Sequence, residues 1–220
     1  MDTEALIARL ADDARPVRRM TPPWRRAVLW LAIAAASVAV VLAYHGAEVD
    51  MASFLADRQL LIEEVATLLT AMTAATAAFA STVPGRSRRW LWLPAIPFAV
   101  WLFTVGKGCL DDWMRLGAAG LALRPDDCFL PMILVGTVPA VAMFAMLRRG
   151  APLHPRLTLV LGTLATAAAA NFGLRLFHIG DISVMLLVWH FGVLVVFLCA
   201  AAAAGPQVLR WKSAVPAPSR

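Results

Sequence analysis

Residues 27–44 read AVLWLAIAAASVAVVLAY, eighteen positions with no charged side chain and no proline. As an α-helix rising about 1.5 Å per residue, this run is about 27 Å long, close to the roughly 30 Å of a bilayer's hydrocarbon layer. Five further predominantly apolar runs follow, at 62–83, 90–105, 129–146, 157–176 and 182–204. Inside lipid every backbone N–H and C=O must be bonded within the protein, so runs of this length read as helices. The expectation is an all-α integral membrane protein with six transmembrane helices. The third run is short and holds Pro94 and Pro97, which predicts a kink.

Composition points the same way. Of the 220 residues, 60% are hydrophobic and 15% charged. Soluble domains carry roughly 45–50% apolar and about 25% charged residues, so a water-soluble fold would leave much apolar surface uncovered. The net charge of +6 would raise a nucleic-acid partner for a soluble protein. Arginines clustered beside apolar runs instead fix topology, and no direct nucleic-acid binding is expected. The first apolar run follows 26 polar and basic residues with no small-residue cleavage site behind a short apolar core, so it reads as a retained span rather than a signal peptide.

The basic residues are distributed unequally between the two sets of connections. One set holds Arg9, Arg15, Arg18, Arg19, Arg25 and Arg26, then Arg86, Arg88 and Arg89, then Arg148, Arg149 and Arg156, then Arg210, Lys212 and Arg220. The other holds Arg58, Lys107, Arg115 and Arg124, with Arg175 near the end of the fifth run. Fifteen against five places both termini in the cytoplasm. The organisation is then a cytoplasmic N-terminal tail over 1–26, a six-helix transmembrane domain over 27–204 and a cytoplasmic C-terminal tail over 205–220. Trp24, Trp30, Trp90, Trp92 and Trp113 fall near the boundaries, as an aromatic belt would. Small residues crowd Ala71–Ser81 and Ala165–Ala170, a composition that lets membrane helices approach closely.

Catalytic signatures are not found: there is no H-E-x-x-H, no G-x-S-x-G and no P-loop. The chain reads as a non-enzyme, with no cofactor. Glu63 and Glu64 stand at the outer start of the second run, and Arg175 and His178 at the outer end of the fifth. His190 lies about two turns into the sixth and reads as a neutral, hydrogen-bonded imidazole. No carboxylate is expected near the midplane, which weighs against a proton-coupled transporter.

Two segments carry the functional signal. An outer loop between the third and fourth runs brings Cys109, Asp111 and Asp112 together with Asp126, Asp127 and Cys128. A disulfide between the two cysteines would stabilise by about 3 kcal/mol in the chain-entropy account. Free thiols with those carboxylates would favour a soft metal ion, and two unconnected thiols are the third option. Cys199 reads as a packing residue. The second segment is the tail, where Thr3 can cap a short helix, Glu4 suits its N-terminus, and Pro16 stops it. Leu6, Ile7 and Leu10 would share one face, suited to a partner's groove or to the lipid interface.

Three stretches carry a resemblance: LIARLADDARPVRRMTPPWRRAVLWLA at 6–32, VPGRSRRWLWLPAIP at 83–97 and RRGAPLHPRLTLVLGTLATAAAA at 148–170. With them the chain resembles the negative-regulator-of-sigma-F family of bacterial inner-membrane anti-sigma factors. The resemblance implies that the chain sequesters an extracytoplasmic-function sigma factor and releases it on an envelope, redox or metal signal. Its partners would be that sigma factor and membrane lipid. It places the sigma contact in the N-terminal segment, at Leu6, Ile7, Leu10, Val17 and Arg18. It also implies a pair of outward cysteines: Cys128 matches the first, but the second, in a His-Cys pair ending the fifth span, is replaced here by His178-Ile179. Cys109 is the outward thiol left to replace it, giving Cys109, Cys128 and His178 as sensing candidates. The alternative reading is a small multi-pass transporter or permease, and a third is a structural subunit of a larger membrane complex.

The basic asymmetry generates a topology prediction. Reporter fusions after Arg88 and Arg149 should read cytoplasmic, and one after Asp111 periplasmic. A periplasmic signal at Arg149 would sink the six-span arrangement.

Overall fold

The computed structural model describes residues 2–12, 20–46, 55–117, 129–176 and 191–209. Among them the regular structure is helical: α1 (Thr3–Asp12), α2 (Pro23–His45), α3 (Arg58–Ser81), a 3-10 turn (Arg88–Trp92), α4 (Ala95–Leu116), α5 (Phe129–Leu147), α6 (Pro155–Arg175) and α7 (Gly192–Val208). Four segments are long and apolar enough to cross a membrane: Pro23–Tyr44, Arg58–Ser81, Arg88–Arg115 and Pro155–Arg175. Val135–Leu147 and Gly192–Val208 are shorter apolar helices. Val28, Leu29, Val40, Ile96, Phe103, Val196 and Phe197 all point outward, a surface suited to lipid rather than water.

Local chemistry sets the helix ends. Pro23 opens α2 and Pro155 opens α6 at positions where the missing N–H costs nothing. Asp57 caps α3, its carboxylate accepting from the N–H groups of Gln59 at 2.8 Å and Leu60 at 3.1 Å. Gly46, at φ 84°, closes α2 by donating its N–H to the Leu42 carbonyl at 2.8 Å.

The helices alternate in direction. The start of α2 meets the ends of α3 and α5 through Arg26, and the end of α3 meets the start of α6 through a 2.8 Å hydrogen bond between the hydroxyls of Ser81 and Thr158. Lys107, late in α4, reaches Gln59 at the start of α3. A Cβ built on Gly205, near the end of α7, would lie 2.8 Å from the Arg156 backbone at the start of α6. The N-terminus of α2 and the C-terminus of α7 therefore share one end of the bundle.

The core is a seam of small residues. On α3, Ala71, Ala74, Ala75, Ala77 and Ala78 are fully buried, and α3 packs principally against α6, where Ala165 and Ala168 are equally enclosed. A side chain at Gly162 would meet Leu147 at 2.8 Å, and one at Gly173 would meet Val38 at 2.7 Å. Hydroxyls on these faces bond back to the carbonyl four residues earlier: Thr67 to Glu63, Thr70 to Ala66 and Thr166 to Gly162. They need no partner across the seam and leave the close approach undisturbed.

Several expectations are corrected. Pro94 and Pro97 fall within the Arg88–Arg115 segment, where the 3-10 turn gives way to α4. Pro94 precedes the first residue of α4 and Pro97 falls in its first turn, where no intrahelical N–H bond is lost. The third span is longer than expected: the Arg88–Arg115 segment contains the 90–105 run and continues past Val105. Thr3 is the first helical residue of α1, not its cap; the Leu6 N–H donates to the Asp2 carbonyl at 3.1 Å. Trp30 is no belt residue. It is fully buried and its indole N–H donates to the Pro139 carbonyl, inside α5, at 2.9 Å. Trp24, Trp92 and Trp113 do stand on the surface.

Candidate functional site

Two charged assemblies close the bundle at its opposite ends. At the end carrying the start of α2, Arg26 is buried. Its guanidinium donates to the Thr82 hydroxyl at 3.0 Å and to the Met146 carbonyl, and lies 4.5 Å from the Phe79 ring centroid. Three helices are thus held by one planar cation that presents its donors in fixed directions. Thr82 is the other half of the anchor: its carbonyl accepts from the Ala151 N–H at 3.1 Å, and Gly150 packs so close that a Cβ there would sit 2.4 Å from the Thr82 Cβ. Arg26, counted among the topology-setting arginines, is also a buried structural tie.

Around this tie lies a collar of outward arginines with aromatic rings. Arg25 stacks over Trp24 at 5.1 Å, Arg86 over Trp90 at 4.8 Å and Arg148 over Phe144 at 5.6 Å. Arg88 meets the His154 Nε2 at 3.1 Å. Guanidinium over an aromatic face is a stable pairing at a bilayer surface, where one side is apolar and the other wet.

At the opposite end Glu63, Glu64 and Arg175 come together. Arg175 donates to Glu63 Oε1 at 2.8 Å, and its Nε lies 3.6 Å from Glu64 Oε1. The two carboxylates are only 6% and 4% exposed, within two turns of the start of α3. Hydropathy places these residues at the outer ends of the second and fifth runs, and the structure pairs them there in buried form. The signal that was available is the complementary sign: two acids at the start of one span and a base at the end of an antiparallel one.

Beside this cluster, α4 carries the segment expected as a loop. Cys109 and Asp111 are helical, and Asp111 pairs with Lys107 one turn earlier at 2.8 Å. Cys109 is a free, half-buried thiol and Cys199 a free, exposed one. The expected packing role of Cys199 inside the bundle is not realised. The side chain of Asp112 lies outside the described residues, as do Asp126, Asp127, Cys128 and His178. Among the described residues no group of three or more His, Cys, Asp or Glu is placed to hold a metal ion.

The N-terminal face is assembled as the sequence predicts. Leu6, Ile7 and Leu10 lie on α1, all exposed, and α1 buries none of its residues. Val17 and Arg18 fall outside the described residues.

Alternating apolar helices with charge confined near their ends define a multi-span helical protein suited to a membrane. The chain belongs to a family of regulators: the model described as negative regulator of sigma F matches residues 10–211, nearly its whole length. No curated protein and no solved structure matches it.

The buried cluster makes a stability prediction. Removing the cation of a buried ion pair leaves its partners uncompensated, at a cost of about 3–5 kcal/mol, whereas replacing the whole set with neutral groups is far milder. Arg175→Met should accumulate poorly in membranes, and the triple variant Arg175→Met, Glu63→Gln, Glu64→Gln should recover. Membrane yield and thermal unfolding in detergent measure both. Equal loss in single and triple variants would mean that packing, not charge balance, governs the site.

Proposed function

We propose that the chain is a bacterial inner-membrane anti-sigma factor, spanning the membrane six times with both termini cytoplasmic. It holds an extracytoplasmic-function sigma factor at the membrane and releases it when the outward side senses an envelope, redox or metal signal. The family supports a sigma factor as the regulated partner. The observation that carries the mechanism is the apolar face of α1, unburied by its own chain and tethered to a bundle whose first span is fixed by Arg26.

A ten-residue helix is marginal in water by itself. Docked with Leu6, Ile7 and Leu10 in a groove on the sigma factor, it gains both its helical form and its affinity from the same burial. Val17 and Arg18 extend the contact toward the membrane. Changing Leu6 and Leu10 together to Asp should abolish co-purification of the sigma factor while membrane insertion is unchanged. Capture that survives the change would move the contact to the loops beside Arg86–Arg89 and Arg148–Arg149.

Sensing is assigned to Cys109 and Cys128, with His178, the carboxylates Asp111, Asp112, Asp126 and Asp127 being candidate metal ligands. Cys109 stands free on α4 in the same outer region as the Glu63–Arg175 cluster, so chemistry at this thiol would act on a charged layer already in place. Allosteric couplings of about 1–3 kcal/mol change partner affinity about 5- to 150-fold. Cys128→Ser should therefore keep sigma capture but lose its release by oxidant or metal. A Cys128→Ser protein that fails to insert would make the thiol structural and end the sensing assignment.

A further inference from the structure

At the bundle end that carries the Arg26 tie, two connections are clasped into one platform. The segment after α3 and the segment between α5 and α6 are joined by the Ala151 N–H, which donates to the Thr82 carbonyl at 3.1 Å, and by Arg88, which meets His154 Nε2 at 3.1 Å. Arg86, Arg88 and Arg89 stand on one connection, and Arg148 and Arg149 on the other. All of them are exposed, so their donors are open to a ligand from outside the chain.

The platform carries no counter-charge of its own. No aspartate or glutamate occurs between residues 65 and 110 or between 128 and 180. Among the described residues the ion pairs lie at the other end of the bundle, Lys107 with Asp111 and Arg175 with Glu63 and Glu64. Arg88 faces an imidazole rather than a carboxylate, so its charge is not cancelled there. The cations are also held in fixed poses. Arg86 lies 4.8 Å over the Trp90 ring and Arg148 5.6 Å over the Phe144 ring. Stacking occupies the face of a guanidinium and leaves its in-plane N–H groups for an acceptor, the fork that matches two oxygens of one phosphate. Like charges gathered on one platform repel one another, and an anion among them is stabilised by several at once.

We propose that this platform is a binding site for the headgroup of an anionic phospholipid, the two-phosphate diphosphatidylglycerol class above all. The aromatic side chains decide the source of the anion. Trp90 and Trp92 are exposed beside the arginines, and rings of this kind settle where hydrocarbon gives way to headgroups. Phospholipid phosphates lie at that depth, with acyl chains beneath them to cover the rings. An acidic protein surface brings carboxylates but no apolar tail. Two phosphates on one lipid match arginines presented from two connections, and basic clusters at helix ends are the sites where such headgroups are recognised. The inference rests on the placement of the bundle in a membrane and not on the sigma-binding assignment.

The test uses the purified full-length chain in maltoside micelles. Bound lipid is counted by native mass spectrometry after addition of diphosphatidylglycerol, phosphatidylglycerol or phosphatidylcholine, all with oleoyl chains. Diphosphatidylglycerol should be held about tenfold more tightly than phosphatidylcholine, with phosphatidylglycerol between them. The combined variant Arg88→Lys, Arg89→Lys, Arg148→Lys, Arg149→Lys keeps every charge, and with it the signal for insertion, but lacks the planar fork. Its affinity for diphosphatidylglycerol should fall about three- to tenfold, together with the rise in unfolding temperature that the lipid confers. Arg148→Gln with Arg149→Gln should weaken binding further. Three results overturn the proposal: phosphatidylcholine held as tightly as diphosphatidylglycerol, a lysine variant that binds like the parent chain, or displacement of the lipid by polyglutamate of equal total charge, which would make the platform a contact for an acidic polypeptide. A chain that stays in solution without detergent would overturn the membrane placement as well.

Discussion

Lipid is as apolar as the helices within it, so burial of hydrocarbon does not hold them together; dispersion contacts at close approach and a few buried polar bonds must. The α3–α6 seam meets that constraint. Alanines at 71, 74, 75, 77 and 78 lie against alanines at 165 and 168, and glycines at 162 and 173 admit neighbouring side chains that a single Cβ would displace. The remaining helices are arranged about this pair: α4 packs on α3, α5 and α7 pack on α6, and α2 touches both. Many large apolar residues stand on the outward faces, although Trp30, Phe79 and Leu147 are enclosed.

Polar chemistry sits at the two ends of the seam. At one, Ser81 and Thr158 bond across it while Arg26 ties Thr82 to α2 and α5. At the other, Arg175 of α6 holds Glu63 and Glu64 of α3. These bonds oppose sliding of one helix along the other, which alanine surfaces by themselves resist only weakly. The two helices therefore act as one strut between the two bundle ends, and a change of charge at the Glu63–Arg175 end bears on the element that carries the Arg26 tie.

The helical class, the small-residue seam and the exposed face of α1 were legible because each is written in local pattern: apolar run length, clusters of alanine, and Leu6, Ile7 and Leu10 at helical spacing. The misplaced features depend on long-range partners. Arg26 resembles Arg25 in sequence, yet one is buried on Thr82 and the other stacks outward on Trp24. Trp30 and Trp24 differ in the same way. Cys109 was expected in a loop because the apolar run gives out after Val105; the helix nevertheless continues through Lys107 and Asp111 to Leu116.

The contrast between α1 and the bundle bears on regulation. In the bundle the alanines of the α3–α6 seam are enclosed, and the buried arginine is engaged with Thr82, Met146 and Phe79. In α1 three large apolar side chains remain outside any core. A segment with so little internal stabilisation shifts its conformation for a small free-energy difference, whereas the bundle does not. Under the proposed function, capture and release of a partner belong to the tail, while the bundle fixes where the tail emerges.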